Sequence, residues 1–124
     1  AFLGVDIQQS GHSVLLDTLR GSSLGLWVAH GEGKFVLPGQ QDDYNVVLKY
    51  AYEGYPANPN GSSFDTAGIA SADGRHLAMM PHLERAFLPW QCAYYPTERL
   101  ANDQVTPWIE AFVNARNWVE QHQK

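Results

Sequence analysis

The chain has 124 residues, of which 44% are hydrophobic and 12% aromatic, a net charge of −5 and one cysteine. These values predict one domain with a single packed core. They argue against a nucleic-acid or anionic-membrane surface, because the negative net charge is spread over interspersed signs. No apolar run approaches the roughly 18 residues of a membrane span, and no signal peptide is recognised. A lone cysteine excludes an internal disulfide and is typical of a cytoplasmic protein.

The first half of the chain predicts strands separated by one helix. Residues 1–7 have a strand pattern, and residues 10–25 place Val14, Leu15, Leu16 and Leu19 on one helical face, with Gly21 as the helix stop. An apolar run at residues 24–29 predicts a buried strand, and a second short strand follows the His30-Gly31-Glu32-Gly33 turn. Residues 44–52 alternate as a further strand, and residues 53–65, rich in Pro, Gly and Asn, predict a long loop.

The second half predicts a hairpin and a closing helix. Residues 69–70 end one strand, residues 72–75 turn, and residues 76–80 return until Pro81 stops the strand. Thr106 is suited to cap a helix that begins at Pro107. One apolar stripe then predicts that this amphipathic helix packs on the core; it consists of Trp108, Ile109, Ala111, Phe112, Ala115, Trp118 and Val119.

His82 and Glu84 form the main candidate for chemistry. A histidine acts as a general base when a neighbouring carboxylate fixes its tautomer and stabilises its protonated form. Residues two apart in an extended segment project to the same side, so the pair can meet just past the hairpin. The spacing alone equally fits a surface histidine and glutamate that never touch; the apolar strand and the proline before them favour an ordered pair.

Other candidates are weaker on the residues alone. The His30–Gly33 turn could bring backbone N–H groups close to a small polar ligand, although an ordinary turn is the simpler interpretation. Cys92, between Trp90-Gln91 and Tyr94-Tyr95, is expected to be a packed thiol and no nucleophile. His30, His76, His82 and Glu84 lack the tight spacing of metal ligands, so no metal is predicted. Arg75 and Arg85 are expected in surface or structural ion pairs.

Four segments resemble one family in the same order. They are VAHGEG (28–33), YPANPNGS (55–62), SADGRHLAMMPHLERAF (71–87) and PWIEAFVNAR (107–116). These segments are similar to the C-terminal glutaminase domain of the large single-chain phosphoribosylformylglycinamidine synthases, also called formylglycinamide ribonucleotide amidotransferases. The resemblance runs from about residue 12 to the end of the chain. The H-G-E-G and N-P-N-G-S segments are specific to this branch, whereas the His-x-Glu pair is shared by class I glutamine amidotransferases.

The resemblance implies a fold and a reaction. The fold would be a partial flavodoxin-like open α/β sheet of the class I amidotransferase type, with a C-terminal amphipathic helix. A Cys-His-Glu triad would release ammonia from glutamine, with a thioester intermediate that is then hydrolysed. His82 would be the base, Glu84 its orienting carboxylate, and Gly31 and Glu32 would lie near bound glutamine. The ammonia would pass to a synthetase domain of the same polypeptide, which would use ATP and magnesium; no cofactor is expected in this chain.

The chain departs from the family pattern at two points. Leu83 stands where many relatives have proline, which removes a constraint on the turn between His82 and Glu84. No glycine-flanked cysteine precedes His82, so the nucleophile is expected upstream of Ala1. Because the chain starts without methionine in an apolar segment, residues 1–124 are interpreted as the C-terminal portion of a glutaminase domain, inactive alone. Self-association of such a fragment, by dimerisation or swapped strands, would cover its exposed edges.

Two other functions stay open on the sequence. One is a non-catalytic docking or regulatory α/β module in which His82 and Glu84 are relics. The other is a metal-dependent hydrolase that uses the same two residues as ligands. A glycine-flanked cysteine upstream would favour the glutaminase. A true start codon near Ala1 would favour the docking module, and stoichiometric zinc would favour the hydrolase.

Overall fold

The computed structural model describes residues 2–28, 33–52, 57–100 and 103–122. Within these residues the chain forms five strands and two α-helices in one α/β unit. The elements are β1 (Phe2–Ile7), β2 (Ser23–Trp27), β3 (Val46–Tyr50), β4 (Thr66–Ala70), β5 (Leu77–Met79), α1 (Thr97–Leu100) and α2 (Ile109–Gln121). The predicted α/β class, the hairpin of β4 and β5 and the closing helix are therefore confirmed.

The strands form one sheet in the order β2-β1-β3-β4-β5, with β2 and β5 at its edges. Every neighbouring pair is antiparallel, so the described strands are an antiparallel sheet and not the parallel strands expected of a flavodoxin-like core. The sheet curls, because His82, three residues after β5, forms an antiparallel bridge with Trp27 at the end of β2. This curl decides where His82 lies.

The core lies between the curled sheet and the segments that follow β5. β3 is the central strand, and four of its five side chains are buried. Val5, Leu26, Leu48, Ala86 and Trp108 are almost completely removed from solvent, together with Leu16 from the segment after β1. The hydrophobic packing therefore joins the sheet, the residues after His82 and the start of α2 into one unit.

The outer edge of β2 is covered by side-chain and backbone donors. The indole Nε1–H of Trp108 donates to the Gly25 carbonyl at 2.9 Å, and the His82 backbone N–H donates to the Trp27 carbonyl at 2.9 Å. Two carbonyls that would otherwise face solvent at a sheet edge are thereby paired.

The helix predicted at residues 10–25 is wrong. That segment forms turns and a single 3-10 turn at Asp17–Leu19. The Asp17 carboxylate accepts the backbone N–H of Ser13 at 3.1 Å, and the Val14 N–H donates to the Gly74 carbonyl at 2.8 Å instead of to a carbonyl four residues before it. Leu16 and Leu19 are buried three residues apart, which imitates helical spacing. Gly21 has φ +79°, so its positive φ ends this turn.

The short strand predicted after residue 33 is also absent from the described residues. Residues 34–37 are extended loop, and their hydrogen bonds run to the loop before β4 rather than to a strand.

The closing helix packs less than predicted. The Thr106 hydroxyl accepts the Trp108 N–H at 3.3 Å as the predicted cap would, although the α-helix itself begins at Ile109. Trp108 and Ala111 are buried, but Phe112 is 46% and Val119 51% exposed. The apolar stripe thus contacts the core only near the start of the helix.

Candidate active site

His82 and Glu84 meet as the sequence predicts. Their side chains are joined between His82 Nδ1 and Glu84 Oε1 at 2.7 Å. The carboxylate can only accept, so Nδ1 carries the proton and Nε2 is the ring atom available as a base. Nε2 has no hydrogen-bond partner among the described residues, and the His82 side chain is 35% exposed. The Glu84 carboxylate therefore orients a partly exposed imidazole.

A 3-10 turn places the two side chains, and not the extended segment that the spacing suggested. His82 itself is extended at φ −113°, and Leu83–Arg85 turn immediately after it. Leu83, in the position of the family proline, is buried in the core. Burial of Leu83 fixes the turn from inside and leaves Glu84 on the outside, where it reaches back to the imidazole.

The backbone of His82 is held by the opposite edge of the sheet. Its N–H donates to the Trp27 carbonyl, and this hydrogen bond belongs to the bridge between the two segments. Pro81 is buried directly before it and ends β5. The base is therefore attached both to the end of the hairpin and to the end of β2.

Glu84 is ionised at neutral pH. Partial burial opposes its charge, but the hydrogen bond from His82, a backbone hydrogen bond and the charges of His82 and Arg85 together lower its pKa below the ordinary value of 4.5. Because the pKa is depressed, the contact is present above it and is lost as the pH falls through it.

We expect the carboxyl of Glu84 to titrate with a midpoint below 4.5 in the wild-type protein. The carboxyl carbon shift in NMR spectra recorded against pH would measure this. His82→Ala removes the main favourable partner and should move the midpoint upward. An unchanged midpoint in that variant would show that the pair does not interact in solution.

Cys92 is a packed thiol, as predicted. It is partly buried against the core, and its Sγ faces the carbonyls of Ala86 and Leu88 at 3.9 and 3.8 Å. Burial raises the pKa of the Cys92 thiol, which disfavours the thiolate that a nucleophile needs. Cys92 is therefore not expected to be the nucleophile that His82 activates.

The described residues contain no group of three or more His, Cys, Asp or Glu side chains that could hold a metal ion. No helix in the described part of the chain is long and apolar enough to cross a membrane.

The sequence profile of the CobB/CobQ-like glutamine amidotransferase domain matches residues 1–119. The chain belongs to this family. Among curated proteins, the amidotransferase chain is 42% identical over 137 aligned positions to the probable phosphoribosylformylglycinamidine synthase, chloroplastic/mitochondrial, of Arabidopsis thaliana. It is also 42% identical over 125 positions to the phosphoribosylformylglycinamidine synthase of Homo sapiens. The alignments cover 96% and 87% of this chain but only 9% of each relative.

A solved structure shares the fold of the amidotransferase chain. PurLQS from Thermotoga maritima superimposes with a TM-score of 0.68 at 22% identity, covering 96% of this chain and 47% of that one. The solved relative thus has the same fold over the 47% of its length that this chain covers.

The two residues predicted to lie near glutamine, Gly31 and Glu32, fall outside the described residues, as does His30. The positions that flank this turn are described on both sides. Trp27, which forms a bridge with His82, lies before the segment, and the Gly33 carbonyl accepts the Asn60 side-chain amide at 2.9 Å. The role of Gly31 and Glu32 stays a prediction.

Sequence reasoning missed the residues that hold these parts together. The sequence predicts Trp27 only as part of a buried strand, yet its carbonyl holds His82. It predicts Asn60, Ser62 and Ser63 as part of a loop, yet their side chains bond the backbone of residues 33–37. The one available signal was the density of short polar side chains in residues 58–63, which often bond backbone groups.

Proposed function

We propose that this chain is the base-and-carboxylate part of the glutaminase domain of a phosphoribosylformylglycinamidine synthase. One observation carries the proposal: His82 Nδ1 and Glu84 Oε1 are 2.7 Å apart, and the His82 side chain is 35% exposed, in a chain of the glutamine amidotransferase family. Relatives named as this synthase support the assignment. Because the chain covers only 9% of the length of these relatives, the rest of the reaction is also part of the proposal.

In the proposed mechanism His82 is the base. Its Nε2 takes the proton of a cysteine thiol supplied from upstream of Ala1, and the thiolate attacks the side-chain amide carbon of glutamine. Glu84 accepts the Nδ1–H bond and stabilises the imidazolium that forms. The imidazolium then returns the proton to the departing ammonia, and the thioester that remains is hydrolysed by a water that His82 activates.

The ammonia would be consumed outside this chain. A synthetase domain of the same polypeptide, using ATP and magnesium, would convert formylglycinamide ribonucleotide to formylglycinamidine ribonucleotide in purine biosynthesis. No cofactor is assigned to the residues of this chain. A cytoplasmic location belongs to the same proposal and is supported only by the single, partly buried cysteine.

The test is labelling of the full-length protein with an electrophilic glutamine analogue, followed by peptide mapping. We expect the label on a cysteine upstream of Ala1, and an unchanged labelling rate in Cys92→Ser, because the Cys92 thiol is packed against carbonyls. A label on Cys92, or no label on any cysteine, would contradict the proposed triad.

A docking module is the second candidate, and exposed aromatic side chains favour it. Trp90 is 77% and Tyr94 75% exposed on the segment that follows the His82–Glu84 turn. Large exposed aromatics are frequent anchors of protein interfaces. A module of this kind would show no analogue labelling and no glutamine hydrolysis in the full-length protein.

A further inference from the structure

Trp27 is bonded at two separate points to the segment that carries the His82–Glu84 pair. Its backbone carbonyl accepts the His82 N–H at 2.9 Å, directly before the 3-10 turn that brings the pair together. Its indole Nε1–H donates to the Gln91 carbonyl at 2.6 Å, at the last residue of the next 3-10 turn. One residue of β2 therefore holds both ends of residues 82–91 by hydrogen bonds.

Residues 82–91 are compact between these two points. Leu83–Arg85 and Pro89–Gln91 each form a 3-10 turn, and each turn is closed by a backbone hydrogen bond of its own. The Gln91 side chain also accepts the Leu88 N–H at 3.0 Å, which joins the second turn to the residue before it. Because only three residues separate the two turns, a bond at Gln91 restricts the position of the first turn as well.

Thr106, which lies before α2, holds the middle of the same segment. Its hydroxyl donates to the Ala86 carbonyl at 2.7 Å, and its N–H donates to the Phe87 carbonyl at 2.8 Å. Thr106 is 3% and Ala86 0% exposed, so these bonds are shielded from water. The segment is therefore bonded at its start, its middle and its end, and Trp27 supplies the first and the last of these bonds.

The indole ring of Trp27 is itself held in place by Phe2. The two rings lie edge to face, with centroids 5.1 Å apart and planes at 68°. Phe2 is the direct partner of Trp27 in the register of β1 and β2, so the two rings are cross-strand neighbours. Gly25 leaves room for this packing, since a side-chain carbon at that position would lie 2.3 Å from the Phe2 ring. The packing of the sheet therefore helps to set the direction of the indole N–H.

We propose that Trp27 is a positioning residue for His82, and that its indole bond to Gln91 keeps the imidazole where the base must lie. This rests on the proposed glutaminase function. Glu84 orients the imidazole but lies on the same turn, so it does not determine where that turn lies in the fold. Trp27 lies on another strand and does. A general base must lie within hydrogen-bond distance of the proton that it takes, and a displacement of about 1 Å can lower a rate about 10²-fold.

The first test is Trp27→Phe in the full-length protein. Phenylalanine keeps an aromatic ring beside Phe2 and the backbone carbonyl that bonds His82, but it lacks the donor to Gln91. We expect the glutamine-dependent kcat to fall by roughly three- to tenfold, the usual effect of one hydrogen bond. The ammonia-dependent activity should stay within about twofold, because it does not require the base. An unchanged glutamine-dependent kcat would overturn the inference.

The matched control is Trp108→Phe, which removes a second indole donor to a backbone carbonyl. The Trp108 indole bonds the Gly25 carbonyl at 2.9 Å, on β2 and not on residues 82–91. Because Trp108 is 1% exposed, its substitution should lower the free energy of unfolding more than Trp27→Phe does. It should nevertheless leave the glutamine-dependent kcat within about twofold. Equal falls in kcat would mean that activity follows general stability, and would overturn the inference.

Amide exchange at His82 tests the link between the two bonds of Trp27. Trp27→Phe leaves the Trp27 carbonyl in place, so the His82 amide keeps its acceptor. If the indole bond holds the turn, this amide should exchange at least about fivefold faster in the variant. The Gly74 amide, bonded to the Ser71 carbonyl at the tip of the hairpin, should exchange as in the wild type. Unchanged exchange at His82 would overturn the inference, because the indole bond would then not determine where the turn lies.

Phe2→Leu is the second variant if Trp27→Phe does not fold. It keeps the indole N–H but removes the ring that packs against the indole, so kcat and exchange at His82 should change in the same directions. Faster exchange at His82 with a wild-type kcat would overturn the positioning role while the glutaminase function stands. A wild-type protein with no glutaminase activity would overturn the function itself, before any substitution is made.

Discussion

Under the proposed function, His82→Ala is expected to lower the glutamine-dependent kcat of the full-length protein by about 10²- to 10⁴-fold, the usual contribution of a positioned general base. Glu84 orients the imidazole of His82, and alanine has no group that could act as a base in place of Nε2. Ammonia-dependent synthesis should stay near the wild-type rate, because it does not require glutamine hydrolysis. Steady-state kinetics with each nitrogen source would measure both.

The matched control is His76→Ala, an exposed histidine on the turn of the same hairpin. It should leave both activities unchanged. Glu84→Gln, which keeps an oxygen acceptor but removes the charge, should reduce the glutamine-dependent kcat less than His82→Ala does. If His82→Ala retained full glutamine-dependent activity, the base would have to be another group, and the assignment of this chain to the triad would fail.

Trp108→Ala is expected to cause the largest loss of stability of any single substitution considered, about 3–5 kcal/mol in the free energy of unfolding. The side chain is 1% exposed at the start of α2, and its indole N–H bonds the Gly25 carbonyl at the edge of β2. Alanine would leave a cavity and an unpaired carbonyl together. Urea unfolding followed by far-UV circular dichroism would measure the change.

Trp90→Ala is the matched control, since Trp90 is 77% exposed. It should change the free energy of unfolding by no more than about 0.5 kcal/mol, as exposed substitutions usually do. Equal losses from the two substitutions would mean that α2 does not pack on β2 in solution.

The strands and the hairpin could be predicted because their signals are local. The apolar residues of the segment at 44–52 mark β3, and the Asp73-Gly74 turn with Pro81 as a stop marks β4 and β5. The curl of the sheet could not be predicted in this way. It depends on the His82 backbone reaching Trp27, which lies 55 positions earlier, and no local pattern records such a contact.

The helix predicted at residues 10–25 does not form because local side-chain contacts compete with it. Asp17 accepts bonds from the Ser13 N–H and from Arg20 at 2.9 Å, and it also pairs with His12. These side-chain contacts stabilise consecutive turns, whereas the apolar spacing alone is compatible with either structure. The strand predicted after residue 33 does not form for a related reason. The N–H groups of Phe35 and Leu37 are bonded by the side chains of Ser62 and Ser63, and a strand pattern in the sequence does not indicate such partners.

The candidate site, like the fold, could be predicted from the sequence only where its contacts are local. His82 and Glu84, a base and a carboxylate two positions apart, could be recognised from the sequence because their contact spans one turn. The reason for their contact was wrong, since a 3-10 turn rather than an extended strand brings them together. The Trp27 carbonyl that holds the His82 backbone comes from a distant segment, and this contact is visible only in the fold.

The covered edge of β2 has a consequence for how copies of this chain could associate. Addition of a foreign strand requires a row of free backbone groups, and on β2 the Gly25 and Trp27 carbonyls are already bonded. The opposite edge, β5, is only three residues long. Polymerisation by strand addition is therefore disfavoured at both edges of the described sheet.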